Sequence, residues 1–178
     1  MSRILVAYAT KHGSTGEIAV VIGEVLAARG HAVDVVPARD VRDVEPYDAV
    51  IVGSAVYMYR WQRDAMNLLR RHESALRERP TWLFSSGPTG GSAEGDAVLQ
   101  RVRDAPTEEG PLKEVAERGE RIGIRGHATF AGKIDEGMKG FFARWIPKGD
   151  WRDFDVVSAW ADEIGVELAR SEAPPVGV

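Results

Sequence analysis

The 178-residue chain contains no cysteine. That excludes a disulfide framework, a thiolate nucleophile and a cysteine metal site, so any redox chemistry has to be carried by a bound cofactor. No apolar run is long enough to span a bilayer. The first residues pass directly into a strand-like stretch, without the basic-then-apolar pattern of a secretory leader, and the expected compartment is the cytoplasm. Charge of one sign is also scarce. Lys and Arg number 23 against 27 Asp and Glu, a net charge of −4. The basic residues, mostly arginine, are scattered among acids, so no nucleic-acid footprint stands out. No Ser/His/Asp set or carboxylate pair has convincing spacing for catalysis, and the 4 histidines are too dispersed for a metal site. No catalytic acid or base is nominated.

What is present fits one α/β domain. The length suffices for a full core and is short for two domains. Residues 1–172 read as that domain, and Ala173-Pro-Pro-Val-Gly-Val178 as a frayed tail.

The organising stretch is Tyr8-Ala-Thr-Lys-His-Gly-Ser-Thr-Gly-Glu17. It lies between the apolar run Ile4 to Ala9 and an apolar pattern of helical spacing (Ile18, Ile22, Val25, Leu26), and so reads as strand, hydroxyl-rich turn and helix start. Thr10, Ser14 and Thr15 offer hydroxyls, and Gly13 permits close backbone approach. The first helical N–H groups lack intrahelical partners and carry the positive end of the dipole, which suits a phosphate. Other phosphate loops need other atoms. A P-loop requires Gly-x4-Gly-Lys-Ser/Thr, and a dinucleotide fingerprint requires three glycines here and an acid ending the second strand. The turn has only Gly13 and Gly16, and the second strand runs into Pro37-Ala38-Arg39. A response-regulator receiver would need an aspartate ending strand three, where Gly53-Ser54 stands.

In order, the pattern predicts a first strand at Arg3 to Ala9, apolar throughout as in a strand buried on both faces. A helix follows from about Ser14 to Arg29, closed by Gly30. An outer strand runs from His31 to Val36, ended by Pro37, and Val41 and Val44 pin one turn to the sheet. The third strand is Ala49 to Ser54. Residues 55–61 are expected to form a loop at the carboxyl end of a central strand, where open α/β sheets bind ligands. Trp61, Ala65, Leu68, Leu69 and Leu76 form one helical stripe, while Tyr57 and Tyr59 precede it; either of the two tyrosines is a candidate for facing a ligand.

The fourth strand, Thr81 to Ser85, leads into Ser86-Gly-Pro-Thr-Gly-Gly91. Residues 92–110 read as a partly helical excursion. A helix from Pro111 to Arg118, closed at Gly119, and a fifth strand from Arg121 to Phe130 follow, with His127 as a hydrogen-bonded core residue. In the segment at about 135–149, Met138, Phe141, Phe142, Trp145 and Ile146 share a helical face while Lys139, Arg144 and Lys148 lie outside it. Its plain reading is a helix packed on the domain. The sharper one is a basic amphipathic lid touching an apolar substrate or a membrane surface. The last helix starts near Asp153, an N-cap, and buries Val157, Trp160, Ala161, Ile164 and Leu168.

These residues carry a resemblance. Thr10-Lys-His-Gly-Ser-Thr15 looks like the FMN-phosphate loop of flavodoxins (Thr/Ser-x-Thr/Ser-Gly-x-Thr), with His12 in place of the middle hydroxyl. The order of elements is similar to the flavodoxin-like α/β fold, which implies a doubly wound five-stranded parallel sheet, order 2-1-3-4-5, flanked by helices. Within that family the chain looks closer to the bacterial flavodoxin-like protoporphyrinogen dehydrogenases. The features that carry this are Tyr8 to Thr15, Val52-Gly-Ser-Ala-Val-Tyr57, Arg70-Arg-His72, Phe130-Ala-Gly132, the Phe141/Phe142/Trp145 segment and Asp153-Phe154.

The resemblance implies FMN as cofactor. Its phosphate would meet Thr10, Lys11, His12, Gly13, Ser14 and Thr15, and one ring face would be covered by Ser54, Ala55, Val56, Tyr57, Met58 and Tyr59. The polar edge of the ring would be lined by Ser85, Ser86, Gly87, Pro88, Thr89 and Gly90. It further implies oxidation of a porphyrinogen-like substrate with electrons passing to a quinone, Met138, Phe141, Phe142 and Trp145 forming the substrate or partner surface, and peripheral contact with the inner membrane face. Lys11 and Lys133 are the cations nearest the expected cofactor edge. Flavodoxins that shuttle electrons between soluble redox partners resemble strongly acidic particles, and this chain lacks that excess of carboxylates. A dedicated FMN oxidoreductase is therefore the first expectation, an FMN electron-transfer protein the second, and a flavin-free interaction module the third.

Overall fold

The structure is a computed structural model describing residues 1–57, 60–87, 112–134 and 149–172. Its elements are β1 (Arg3–Ala9), α1 (Ser14–Ala28), β2 (Ala32–Pro37), β3 (Ala49–Tyr57), β4 (Arg60–Trp61), α2 (Arg63–Arg71) and α3 (Glu73–Arg77). They continue with β5 (Thr81–Gly87), α4 (Lys113–Ile122), β6 (Gly126–Ala131), β7 (Lys133–Ile134), β8 (Gly149–Asp150) and α5 (Phe154–Glu172). The main sheet has the order β2-β1-β3-β5-β6, with every neighbour along that path parallel. Counting only those five strands, this is the 2-1-3-4-5 order expected. The short β4 folds back antiparallel on the end of β3, and β7 pairs with β8 antiparallel, apart from the main sheet.

Strand periodicity assigns the core to two layers. Ile4, Val6, Ile51, Trp82 and Phe84 point to the face covered by α1 and α5, and Leu5, Ala7, Val50, Val52 and Leu83 to the face covered by α2, α3 and α4. Every one of these side chains is at most 3% exposed, and each large one stabilises the fold by roughly 1.5–3 kcal/mol relative to exposure. Under α5 the aromatic rings of Phe84, Phe130 and Trp160 meet with centroids 5.5–6.3 Å apart. Phe84 lies across Gly53, where a Cβ would come within 1.9 Å of the ring. Glycine in β3 is what lets that ring cross the strand.

Several boundaries differ from those expected. Pro37 belongs to β2, paired with Tyr8, because the edge position leaves its missing N–H without a ladder partner. β3 continues through Ala55, Val56 and Tyr57, so residues 55–57 are strand and not loop, and β5 continues through Ser86 and Gly87. Trp61 lies in β4 and does not open the helical stripe; α2 starts at Arg63 and the chain breaks at His72 before α3. α4 runs through Gly119 to Ile122 and is closed by Gly123 at φ +75°. Gly119 sits inside because a Cβ there would press on Ile124 Cδ1 at 2.8 Å. Arg121 and Ile122 are therefore helical, and the last main strand begins at Gly126. Asp153 caps α5 as expected, its Oδ1 accepting from Asp155 N–H (3.0 Å) and Val156 N–H (3.2 Å). Among the described residues, no helix is long and apolar enough to cross a membrane.

Candidate functional site at the carboxyl edge of the sheet

The carboxyl ends of β1, β3, β5 and β6 lie level: Ala9 pairs with Ser54, Ser54 with Ser85, and Ser85 with Thr129. The turn from β1 into α1 emerges here. Thr10 Oγ1 accepts the Gly13 N–H at 2.9 Å, which folds residues 10–13 back on themselves. Gly13 then adopts φ +93° as the N-cap of α1, and its carbonyl accepts from Gly16 and Glu17 N–H. No described residue lies within 4 Å of where a Gly13 Cβ would be. Lys11, His12 and Gly13 are exposed and Thr10 and Ser14 half-buried, so the turn opens outward with the helix dipole behind it.

Thr15 behaves differently. Its side chain is fully buried and its Oγ1 lies 2.7 Å from Ser86 Oγ. A hydrogen bond thus ties the phosphate-loop candidate to the end of β5. Ser54 is likewise buried; its Oγ accepts the Gln62 N–H (2.8 Å) and donates to the Ala55 carbonyl (3.0 Å), fastening the β3–β4 hairpin. Ser85 Oγ accepts from Trp61 Nε1–H at 2.8 Å and lies 2.9 Å from His127 Nε2. With the indole donating into it, the hydroxyl can still donate to Nε2 or accept from Nε2–H, according to the tautomer of a neutral imidazole. Part of His127 stays on the surface. Protein packed around the ring desolvates it and lowers its pKa to about 4, although the residue as a whole is exposed. His127 is therefore hydrogen-bonded as expected, at the sheet's edge rather than within the core. Its ring meets Trp61 edge to face, centroids 5.9 Å apart.

Of the residues expected over the ring, Val56 is core, 9% exposed, and Ala55 is half-buried. Tyr57 projects outward, 43% exposed, and Lys11 Nζ stands 3.2 Å from the centroid of its ring. Two residues nominated for different loops thus meet across the mouth of the site. Gly87 packs backbone to backbone against Gly132, where a Cβ would fall 2.1 Å from the Gly87 carbonyl oxygen. Met58, Tyr59, Pro88, Thr89 and Gly90 lie outside the described residues, as do Met138, Phe141, Phe142 and Trp145.

The sequence reading missed Arg152. Its side chain is 5% exposed; Nε and Nη2 reach Asp150 at 2.7 and 2.5 Å, and Nη1 reaches Glu17 Oε2 at 2.5 Å. Hydrogen bonding to Asp150 raises the guanidinium pKa and holds the Asp150 carboxyl below its ordinary range. One arginine thereby locks the β7–β8 pair to the first turn of α1. A pairing across 135 positions leaves no local signal in the sequence. Among the described residues, no group of three His, Asp or Glu is placed to hold a metal.

The residues present fit FMN. An outward turn with a left-handed glycine, no described residue over it and a helix N-terminus behind suits a dianionic phosphate. Tyr57 offers an aromatic face, and small residues end β5. Lys11, His12 and Ser14 are the side chains open to the phosphate; Thr10 Oγ1 is held by the Gly13 N–H, and Thr15, Ser54 and Ser85 have protein partners.

The fold has wide likeness among solved structures. A flavodoxin from the domain Archaea aligns at 16% identity over 94% of this chain and 99% of that one, TM-score 0.60. Oxidised flavodoxin 1 from Bacillus cereus aligns at 15%, over 97% and 100%, TM-score 0.58. Rubredoxin oxygen:oxidoreductase from Desulfovibrio gigas aligns at 14% over 97% of this chain but 37% of its own, TM-score 0.63. At such identities these show the fold alone. No curated protein matches the chain. A family model described as Flavodoxin domain matches residues 5–147, well over half of the chain, and with that match the protein belongs to the flavodoxin-domain family.

Proposed function

We propose that this protein is an FMN-dependent oxidoreductase that takes electrons from a substrate of its own and delivers them to a second acceptor. FMN is the cofactor of the flavodoxin family, and when bound it supplies the one- and two-electron chemistry that the side chains lack. The observation that carries the reading is the Arg152 clamp. It fixes both ends of the segment 135–148 beside the first turn of α1, next to the phosphate-loop candidate. By the resemblance, residues 135–148, which lie between β7 and β8 in the sequence, would carry the substrate specificity. Its composition favours a large apolar substrate, and the resemblance to protoporphyrinogen dehydrogenases supports a porphyrinogen as donor and a membrane quinone as acceptor, with peripheral attachment at the inner membrane face.

A second reading, an FMN electron-transfer protein without a substrate, is favoured by the exposed Tyr57 beside Lys11, an aromatic at the surface where a redox partner protein docks. The test begins with the absorption spectrum of the purified protein after FMN loading, and continues with turnover of protoporphyrinogen with a quinone by wild type and Arg152→Gln. The oxidoreductase reading expects bound FMN, measurable turnover, and a variant that keeps FMN while losing most turnover. Bound FMN with no turnover, and rapid electron exchange with soluble redox proteins, would establish the second reading.

A further inference from the structure

The cations of this chain are not evenly placed. Between α2 and α4, beside the β3–β4 hairpin, runs an open groove of about 440 Å³ whose floor is Trp61, Met66 and Val115. Its rim carries Arg60, Arg63, Arg70 and Lys113 against a single carboxylate, Glu114. Arg70 is engaged by Glu114, and Lys113 lies 3.8 Å from Glu117. Arg60 and Arg63 have no ion pair among the described residues. Arg60 pairs in the hairpin with Tyr57, so two guanidinium groups with no ion pair among the described residues stand within one hairpin of the site's exposed aromatic. On a chain of net charge −4, this is a local reversal of sign.

We infer that the groove is the docking surface for an acidic redox protein, and the inference rests on the second, electron-transfer reading above for its purpose but not for its geometry. The form of the site selects the partner. A small carboxylate ligand needs buried, oriented guanidinium groups that bind it bidentately. Here the cations ride on an exposed rim over an apolar floor, where each pair is weak but the field steers an approaching negative surface. Small, polar, electrostatically guided interfaces suit transient electron-transfer encounters. Tracking a nucleic-acid backbone would take a longer run of cations than this four-residue rim.

The probe is a reduced plant-type two-iron ferredoxin, a strongly acidic protein, with a basic c-type cytochrome as its opposite, each tested against the full chain loaded with FMN. Electron transfer from ferredoxin should slow by about tenfold at low ionic strength in the Arg60→Glu/Arg63→Glu double variant and lose its salt dependence. Transfer to the cytochrome should not slow. Carbodiimide coupling, which joins lysine to carboxylate and needs no flavin, should link ferredoxin to Lys113. Equal rates and salt slopes for wild type and variant, or cross-links that avoid Lys113, would overturn the proposal. So would stoichiometric binding of citrate alone that the double variant abolishes, since it would make the groove a small-anion site. A Lys113 cross-link on protein that cannot be loaded with FMN would uphold the docking surface and sink the flavin reading, so the two stand or fall separately.

Discussion

The turn after β1 and the ends of β3 and β5 carry the same small hydroxyl-bearing residues, yet they use them in opposite ways. In the turn, Thr10 and Ser14 are half-buried, Thr10 bonded only within its own turn to the Gly13 N–H, and no described residue stands over Gly13. At the strand ends, Ser54, Ser85 and Ser86 are buried and bonded to protein groups, and Thr15 is drawn inward to join them. Strand alternation explains the second pattern: Ser85 faces the α2–α4 side and meets Trp61 and His127, while Ser86 faces α1 and meets Thr15. A hydroxyl at a strand end that turns inward must find a partner or destabilise the fold. The lesson is that the two regions divide the labour, the turn presenting polar groups and the strand ends holding the edge together.

That division predicts where substitutions register. The inward set should move stability and leave cofactor affinity nearly alone. The largest effect is expected for Trp61→Ala, which empties a buried indole site at a cost of about 3–5 kcal/mol. Trp61→Phe isolates the lost Nε1–H···Oγ bond, about 1–2 kcal/mol; both are read by urea unfolding of the cofactor-free chain. Thr15→Val leaves the Ser86 hydroxyl unpaired and should lower stability by about 1–3 kcal/mol, with much of the loss recovered in Thr15→Val/Ser86→Ala. If Thr15→Val instead weakened FMN binding strongly with stability intact, Thr15 would belong to the outward set. Gly13→Ala tests that set directly. Its φ of +93° costs a side-chain-bearing residue about 1–2 kcal/mol, and by displacing the turn it should also weaken FMN binding by about tenfold or more, measured by fluorescence titration.

The fold was largely legible because its signals are local. β1 is apolar throughout, the Asp153 cap sits at the start of α5, and the apolar patterns of Ile18 to Leu26 and of Val157 to Leu168 have helical period. The error around Arg121 shows the limit. Ile122 and Ile124 fit strand alternation, yet Val115, Gly119 and Ile122 also make a helical face, and the chain stays helical until Gly123, at φ +75°, closes it with the Gly123 and Ile124 N–H groups returning to the Gly119 carbonyl. At the site, the motif located the turn, but the partners of Thr15, Ser85 and Arg152 lie at separations of 24 to 135 positions. Nothing in a single sequence marks Arg152 as the partner of Glu17, or Trp61 as the donor to Ser85.

The Ser85–His127 pair gives the comparison a pH axis. A histidine whose pKa is about 4 folded, against an ordinary value of 6.5, favours the folded state fully above about pH 6.5. As pH falls from there toward 4 the unfolded chain takes up the proton first, so this contribution is progressively lost. Stability should therefore drop on acidification through that window, and His127→Gln should flatten this part of the profile. A slope unchanged by the substitution would assign the acid sensitivity to His72, whose pKa burial also lowers; Asp150, held below its ordinary 3.8, loses its contribution only below this window.

The smallest effect belongs to Lys11 and Tyr57, and it separates a structural contact from a functional one. Their exposed cation–π contact, 3.2 Å from Nζ to ring centroid, is worth only about 0.5–1 kcal/mol. Lys11→Gln, Tyr57→Leu and the double variant should each unfold within about 1 kcal/mol of wild type, with a coupling between the two no larger than that. A role at the flavin predicts something stability cannot mimic. Tyr57→Leu should restore fluorescence to bound FMN by removing the aromatic that quenches it, and Lys11→Gln should lower the reduction potential by withdrawing a cation that favours added electrons. If fluorescence and potential stay at wild-type values in both variants while the coupling persists, the pair is a surface latch between the turn and the hairpin. The ring would then have to be met by residues other than Tyr57.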